Sequence, residues 1–253
     1  MVFQWNKSAL VTGALGGIGR AICEEFLKKG IQNLAVLDIK TKEPNLVKNW
    51  RQKYPNATIM YFCVDVSCEE ELQHYFTIFA KSVKHLDIVV NCAGILNEST
   101  PRKMVEVNLC GTITTTLLAM EHMRVDKGKG NGGVVVNISS TAGIYQTSSL
   151  PTYSATKHAI VVFTRSLAYG RENKGIRFLT LCPGGTMTPL LLSVKIFQMK
   201  TLALLKMWKN FKVQSSKSVA KAVVKIIENG QNGSVWIVKN DKLDEHIGPP
   251  ILH

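Results

Sequence analysis

The chain is predicted to be an α/β protein in which one doubly wound, mostly parallel sheet of seven strands carries helices on both faces. Three features of its 253 residues predict this class. Short β-like runs alternate with helical patterns throughout the sequence. A glycine-rich turn follows the first run and opens a helix. No linker, repeat or low-complexity tract divides the sequence, so residues 1–253 are predicted to form a single domain.

The strands are predicted from short apolar runs rich in β-branched residues, most of them ending at a turn-forming residue. Helical patterns fill the intervals between these runs, and a longer intervening segment follows Pro183. The predicted strands span residues 8–12, 33–38, 58–64, 86–90, 133–138, 177–182 and 234–238.

The composition is that of a globular protein, because apolar residues make up 45% of the chain. The N-terminus runs directly into the first predicted strand and lacks the apolar region of a signal peptide. The most apolar later stretch, 190–205, is broken by Lys195 and Lys200, which argues against a transmembrane span. A cytoplasmic location is therefore expected.

The 6 cysteines are scattered and form no CxxC pair, so no metal site is expected. Buried, reduced thiols of a cytosolic protein are the plain interpretation.

The formal net charge of +13 could favour anionic substrates, membrane surfaces or nucleic acid. The lysines are spread over several predicted helices, without an RNA-binding motif or an interleaved aromatic stripe. A solvated basic surface is therefore the preferred interpretation, weak attraction to anionic membranes is the alternative, and no nucleic-acid partner is expected.

The first turn, from Thr12 to Gly19, lies between an apolar strand and a helical segment. Glycines let the backbone approach a pyrophosphate, and a helix N-terminus offers it unpaired N–H groups. The order of strand, turn and helix is that of a Rossmann nucleotide site, although the spacing of Gly13, Gly17 and Gly19 differs from the common G-x-G-x-x-G form.

Asp38 ends the second predicted strand, about 20 residues beyond the turn. A carboxylate at this place accepts hydrogen bonds from the adenosine ribose and repels a 2′-phosphate. It therefore predicts NAD rather than NADP as cofactor. Lys40 lies close by and could soften that preference.

Tyr153 and Lys157 are spaced i, i+4 on a helix that Pro151 is expected to open. A free phenol has a pKa of about 10, and a neighbouring ammonium favours its phenolate form. Such a pair, with a hydroxyl donor beside it, suits proton transfer with an alcohol. Two surface side chains at helical spacing are the alternative.

The chain as a whole resembles the short-chain dehydrogenase/reductase family, in motifs that follow the family's order over nearly its whole length. Within that family it is similar to the insect-type alcohol dehydrogenases and the hydroxyprostaglandin dehydrogenases. Cys92 departs from the family's Asn-Asn-Ala-Gly stretch, and Leu150 stands where hydroxyprostaglandin dehydrogenases carry a polar residue. The resemblance implies cofactor contacts from Thr12, Gly13, Gly17, Ile18, Gly19, Asp38, Asp65, Val66, Asn91, Ala93, Gly94, Tyr153, Lys157, Pro183, Gly184, Thr186 and Thr188.

The resemblance also implies the catalytic roles of Asn108, Ser140, Tyr153 and Lys157. Tyr153 would exchange the alcohol proton, and Lys157 would lower the Tyr153 pKa and hold the nicotinamide ribose. Ser140 would orient the substrate oxygen. Asn108 would bend its helix and support a water chain to solvent.

Residues 184–213 correspond to the segment that covers the substrate in this family. Its apolar positions and lysines alternate at near-helical spacing, which suits either core or dimer packing, an apolar substrate pocket, or a membrane-surface helix. The predicted substrate contacts are Ser140, Leu150, Tyr153, Leu190 and Leu191.

The predicted function is NAD-dependent hydride transfer from a secondary or primary alcohol with an apolar body, by a homodimer or homotetramer as in relatives. One alternative is a carbonyl reductase, or a lipid, terpenoid, steroid or prostaglandin hydroxy-dehydrogenase, of the same family. A non-catalytic nucleotide-binding carrier is the alternative from another class.

Overall fold

The computed structural model describes residues 3–40, 42–126, 130–169, 174–192 and 212–246. Within these residues, eight strands form one sheet in the order β3-β2-β1-β4-β5-β6-β7-β8. Strands β1 to β7 are parallel to their neighbours, and β8 runs antiparallel to β7. The strands are β1 Ser8–Thr12, β2 Asn33–Asp38, β3 Thr58–Cys63, β4 Ile88–Asn91, β5 Gly133–Ile138, β6 Ile176–Pro183, β7 Val235–Lys239 and β8 Lys242–His246.

The helices lie between the strands, as the alternating pattern predicts. A π-helical segment, Val105–Cys110, joins α4 to α5 in one continuous run, and a short 3-10 turn, Thr141–Gly143, follows β5. The α-helices are α1 Gly17–Lys29, α2 Asn45–Lys53, α3 Glu69–Ser82, α4 Pro101–Met104, α5 Gly111–Met123, α6 Pro151–Ala168, α7 Pro189–Leu192 and α8 Ser216–Asn229.

The predicted count of seven strands is wrong by one, because β8 completes a hairpin with β7. Asn240 and Asp241 form the turn at φ 52° and 62°, a left-handed conformation that these two residue types tolerate. The β8 sequence, Lys-Leu-Asp-Glu-His, is polar and largely exposed, as suits an edge strand. It therefore carries no apolar run from which the sequence could predict a strand.

The core has two layers, one on each face of the sheet, because successive strand residues point to opposite faces. In β1, Val11 belongs to the layer that contains Phe26 of α1 and Trp50 of α2. Its neighbour Leu10 belongs to the other layer, with Phe76 of α3. Helices on both faces confirm the doubly wound architecture predicted from the sequence.

The strand order reverses beside β1, which pairs with β2 on one side and with β4 on the other. In open α/β sheets a crevice forms at this reversal, beyond the carboxyl ends of the strands. The described residues contain no helix that is both long and apolar enough to cross a membrane. The apolar and lysine positions predicted between 193 and 211, and the tail 247–253, lie outside the described residues.

Candidate active site

A groove with a cavity of about 410 Å³ lies at the carboxyl ends of β1, β2 and β4. The β1–α1 turn forms one wall of this groove, and Asp38 lies at the end of β2. Tyr153 and Lys157 of α6 line it as well. The fold thus brings the glycine-rich turn and the Tyr–Lys pair, far apart in the chain, to one site.

The glycines of the β1–α1 turn are required by close approaches of the backbone. Gly13 has φ +61°, and a Cβ there would lie 2.6 Å from the Ala93 Cα atom. A Cβ at Gly17 would lie 2.7 Å from the Thr188 Cγ2 atom. Helix α1 begins at Gly17 without a side-chain cap, so its first N–H groups face the groove unblocked by a side chain. This arrangement suits a phosphate group.

The Asp38 carboxylate closes the groove at the β2 end. Its Oδ2 atom accepts a hydrogen bond of 2.8 Å from the Leu15 backbone N–H. This bond fixes the carboxylate beside the turn, and within the described part of the chain no hydrogen bond engages its other oxygen. Ile39 and Lys40 continue the same wall.

Asp65 lies in a small polar cluster on the groove wall, next to Val66. Its carboxylate accepts bonds of 2.9 and 2.6 Å from the Ser67 backbone and hydroxyl, and one of 3.2 Å from Lys103. Burial opposes ionisation of Asp65, but the Ser67 hydrogen bonds and the Lys103 charge outweigh it and hold the pKa below its ordinary value. Lys103, which the sequence analysis missed, also lines the groove.

Two predicted cofactor residues lie behind the groove wall rather than on it. The Thr12 hydroxyl accepts bonds from the N–H groups of Cys92 and Ala93, at 3.2 and 3.3 Å, and so holds the loop after β4. The Asn91 side chain, 2% exposed, donates to Thr116 and Asn137 in the core. Ala93 and Gly94 do line the groove, as does Cys92, whose pKa burial raises to about 12.

Asn108 lies in the π-helical segment and is fully buried. Its amide nitrogen donates to the Ile95 carbonyl at 2.9 Å, and its amide oxygen accepts from the Ile95 N–H at 2.8 Å. The helix is π-helical at this residue, and π-helical turns commonly accompany function. A Cβ at Gly94 would lie 3.4 Å from Asn108 Oδ1 and 3.6 Å from Lys157 Nζ, which places these groups side by side.

The side chains of Tyr153 and Lys157 meet on the buried side of α6. The Lys157 Nζ atom lies 5.7 Å from the centre of the Tyr153 ring and donates to the Ile138 carbonyl at 3.0 Å. Burial lowers the pKa of Lys157 to about 8. Burial also raises the pKa of Tyr153 to about 12, although a hydrogen bond with Ser140 partly offsets it. The dominant effect on the phenol is thus desolvation, which opposes the lowering predicted from its neighbour Lys157.

Ser140 follows β5 and has two partners. Its hydroxyl caps the 3-10 turn by accepting from the Ala142 N–H at 3.1 Å, and it also lies near enough to the Tyr153 phenol to lower the pKa of that phenol. The turn packs tightly on α6, since a Cβ at Gly143 would lie 2.6 Å from the Lys157 carbonyl oxygen. Gly143 is a position that no sequence motif singled out.

The N-terminus of α6 is held by Glu98, another residue that the sequence analysis missed. The carboxylate is 7% exposed and accepts bonds from the backbone N–H groups of Tyr153 at 2.9 Å and Thr152 at 3.1 Å. Only the position of Glu98 soon after the Asn91–Gly94 stretch could have suggested this role, because the contact joins distant segments.

A second cavity, of about 260 Å³, adjoins the groove on the far side of Tyr153. Ser140, Leu150, Leu190 and Leu191, the other predicted substrate contacts, all lie on its wall. Thr188 and Tyr153 are shared by both cavities. The remaining predicted cofactor residues Pro183, Gly184 and Thr186 line this second cavity, together with Lys239 at the end of β7.

These features define a dehydrogenase of the nucleotide-binding α/β type. The family model described as short chain dehydrogenase matches residues 7–197, and the chain belongs to that family. It is accordingly an oxidoreductase acting on CH–OH groups, as the sequence motifs predicted.

Particular relatives agree with this assignment. The chain is 34% identical over 248 residues to a 15-hydroxyprostaglandin dehydrogenase [NAD(+)] of Bos taurus, covering 94% of this chain and 92% of the relative. It is 38% identical over 194 residues to the Homo sapiens enzyme of the same name, covering 75% and 72%. Among solved structures, ElxO with NADP bound superposes with a TM-score of 0.75 at 25% identity, over 91% of this chain and 96% of the other.

Proposed function

We propose that this chain oxidises a secondary or primary alcohol with an apolar body, using NAD, with Tyr153 as the acid–base group. The observation that carries the proposal is the place of Tyr153 on the wall shared by the two cavities. One cavity has a turn suited to phosphate, and the other has leucines beside a serine hydroxyl. A group between them contacts both reactants of a hydride transfer.

The groove fits a dinucleotide, and NAD is the preferred one. The Gly13 and Gly17 contacts leave the turn bare of side chains, and the open N-terminus of α1 accepts a phosphate. The Asp38 carboxylate accepts ribose hydroxyls and repels a 2′-phosphate. The relatives named above are NAD(+) enzymes, although the ElxO structure contains NADP. When bound, NAD supplies the hydride acceptor at its nicotinamide ring.

In the oxidative direction Tyr153 accepts the proton of the substrate hydroxyl. Ser140, whose hydroxyl lowers the pKa of the phenol, orients the substrate oxygen toward it. Because pH 7 lies below the Lys157 pKa of about 8, Lys157 carries the positive charge that favours the phenolate form of Tyr153. Asn108 holds the Ile95 backbone and so fixes the loop that packs beside Lys157.

The test is the variant Tyr153→Phe, assayed by the absorbance of NADH over a panel of apolar secondary alcohols. We expect turnover to fall by at least about 100-fold, because general acid–base catalysis contributes factors of that order. Binding of NAD, followed by calorimetry, should remain. The matched control is Tyr145→Phe, since Tyr145 lines the same cavity but is 56% exposed. Comparable turnover in Tyr153→Phe and Tyr145→Phe would refute the assigned role.

A hydroxyprostaglandin is the more specific substrate candidate, favoured by the names of the relatives at 34% and 38% identity. Leu150, on the cavity wall, places an apolar side chain where those enzymes carry a polar one, as the sequence analysis noted. A comparison of kcat/KM for a 15-hydroxyprostaglandin and for an apolar alcohol of equal length decides between these substrates. The rate of NADH oxidation with the corresponding ketone measures the reverse, carbonyl-reductase reaction.

Assembly into a homodimer or homotetramer belongs to the same proposal. Leu117 of α5 and Val162 of α6 are 43% and 63% exposed, although both are apolar residues within helices. Covering such side chains favours association. Light scattering at several protein concentrations measures the mass of the particle.

A further inference from the structure

One exposed lysine contributes to the wall of the second cavity. Lys239 is the one charged residue among the described residues that line it. The stem of this lysine packs over the cavity wall, since a Cβ at Gly184 would lie 3.1 Å from the Lys239 Cγ atom. The rest of the described lining consists of apolar side chains, glycines, and serine, threonine and tyrosine hydroxyls.

The charge of Lys239 is not neutralised by its neighbours in the described part of the chain. Its cross-strand partner in the β7–β8 hairpin is Lys242, a second cation on the same face. Asp244 follows two residues later on that face, but no ion pair within 4.0 Å joins it to Lys239. Two adjacent cations repel each other, so an anion placed between the cavity and the hairpin relieves a repulsion as well as gaining an attraction.

The position of Lys239 in the sheet also gives an approximate distance between Lys239 and Ser140. Ser140 follows β5, and Lys239 ends β7, which lies two strands away in the sheet. Two strand spacings amount to roughly 10 Å. A molecule whose alcohol lies at Ser140 and Tyr153 therefore reaches Lys239 through a body of medium length.

We propose that Lys239 forms an anion subsite and that the substrate is an amphipathic alcohol with a carboxylate at the end remote from its hydroxyl. This inference rests on the proposed function, because it assigns the alcohol to Tyr153. It adds a specificity residue that lies outside the catalytic group and that no family motif marks.

The test compares secondary hydroxy fatty acids of increasing chain length with their methyl esters, which differ only in the charge. For wild type we expect the acid to have the lower KM at one favoured length. For Lys239→Met we expect the KM of that acid to rise roughly two- to fivefold, as for loss of an exposed ion pair, with the KM of the ester unchanged. Lys221→Met, an exposed change on α8 with the same loss of charge, should leave both KM values unchanged.

Equal KM values for acid and ester in wild type would overturn the subsite, and so would an equal rise for both in Lys239→Met. In those cases the esters are still oxidised, so the proposed function stands. If no alcohol, acid or ester reduces NAD, the proposed function itself fails.

A different observation concerns the position of Tyr153. Helix α6 begins at Pro151 with Leu150 at its N-cap position, and neither residue offers a side-chain cap. Glu98 replaces that cap from the loop after β4, by accepting the N–H groups of Thr152 and Tyr153. The residue that holds the backbone of Tyr153 is therefore a buried carboxylate on another segment.

Glu98 also connects the two walls of the second cavity. Leu96, two residues before it, and Leu150, one residue before α6, both line this cavity. The Glu98 hydrogen bonds fix the distance between these walls and the direction from which the phenol enters. We infer that Glu98 is a positioning residue for Tyr153, acting on turnover more than on cofactor binding.

The test uses Glu98→Ala and Glu98→Gln, with Ser215→Ala as the matched control. Ser215 caps α8 through a bond of 3.1 Å to the Ser218 N–H, so its loss removes a helix cap away from the site. We expect kcat in Glu98→Ala to fall on the order of 10- to 100-fold, as for a misplaced reacting group, with the Kd for NAD changed less than about twofold. Glu98→Gln keeps one acceptor oxygen and should recover part of the loss.

Ser215→Ala should lower thermal stability without changing kcat. If Glu98→Ala keeps the wild-type kcat, or loses kcat only in proportion to the unfolded fraction, Glu98 is a structural cap and the inference is wrong. Loss of NAD binding in parallel with kcat would also overturn it, because the whole site would then have been disturbed.

Discussion

Lys157 is a charge held in the protein interior, and replacing it with methionine should stabilise the fold. The side chain is 5% exposed, and burial lowers its pKa from 10.5 to about 8. Because the unfolded chain keeps the ordinary value, this shift corresponds to about 3 kcal/mol of stability lost at pH 7. Methionine has a similar length and no charge to desolvate. The loss of the bond to the Ile138 carbonyl offsets about 1 kcal/mol of the gain.

The pH dependence of the difference identifies its cause. Below pH 8 both folded and unfolded wild type hold the Lys157 proton, and the full penalty is present. Between pH 8 and 10.5 the folded protein has released that proton while the unfolded chain keeps it, so this group makes wild-type stability rise with pH. The electrostatic advantage of Lys157→Met therefore falls from about 3 kcal/mol at pH 7 to about 1 kcal/mol at pH 10.

Urea unfolding of both proteins at pH 7, 8, 9 and 10 measures this difference. Burial raises the pKa values of Tyr61 and Tyr153 to about 12. Both tyrosines are present in both proteins, so their contributions to the pH dependence of stability cancel to first order in the difference. Lys221→Met, an exposed change on α8, should shift stability by less than about 0.5 kcal/mol at every pH. A stability difference for Lys157→Met that is constant from pH 7 to pH 10 would refute the reasoning. The variant should also lose activity, in the usual opposition of stability and function.

Two further predictions concern the groove. Gly13→Ala should lower the free energy of unfolding by at least about 1 kcal/mol and weaken NAD binding, since the residue has φ +61° and its Cβ would contact Ala93; chemical denaturation and calorimetry measure the two effects. Asp38→Ala should lower kcat/KM for NAD and raise it for NADP, because it removes the ribose acceptor and the charge that repels a 2′-phosphate. An unchanged ratio of the two kcat/KM values would contradict the role of Asp38, and Glu24→Ala on α1 is the control for charge alone.

The sequence could predict those parts of the fold and site that depend on local spacing. The β1–α1 turn follows from glycines between an apolar strand and a helix, and Tyr153 and Lys157 share a helix face because they are spaced i, i+4. Strand β8 could not be predicted, because its stability comes from pairing with β7 and not from an apolar run. Glu98 could not be predicted either, since its partners lie on a helix that the chain forms much later.

The sequence also could not reveal that the side chains of Tyr153 and Lys157 are buried. From spacing alone, an ammonium beside a phenol should lower the phenol's pKa. In the fold, both side chains lose water, and desolvation disfavours the charged form of each. The pKa of Tyr153 rises to about 12, and that of Lys157 falls to about 8.

The pKa values of Tyr153 and Lys157 together determine under which conditions the phenol can give up its proton. At pH 7 Lys157, with its pKa of about 8, already carries its proton, so it cannot take the proton of the Tyr153 phenol, whose pKa burial raises to about 12. Hydrogen-bond donors to the phenolate oxygen and a further positive charge nearby lower the pKa of the phenol. The Ser140 hydroxyl already lowers this pKa in part, and in the proposed reaction the remaining stabilisation comes from the molecules that enter the two cavities on either side of Tyr153. In the proposed reaction, the Tyr153 phenol therefore becomes an effective base only when reactants fill both cavities.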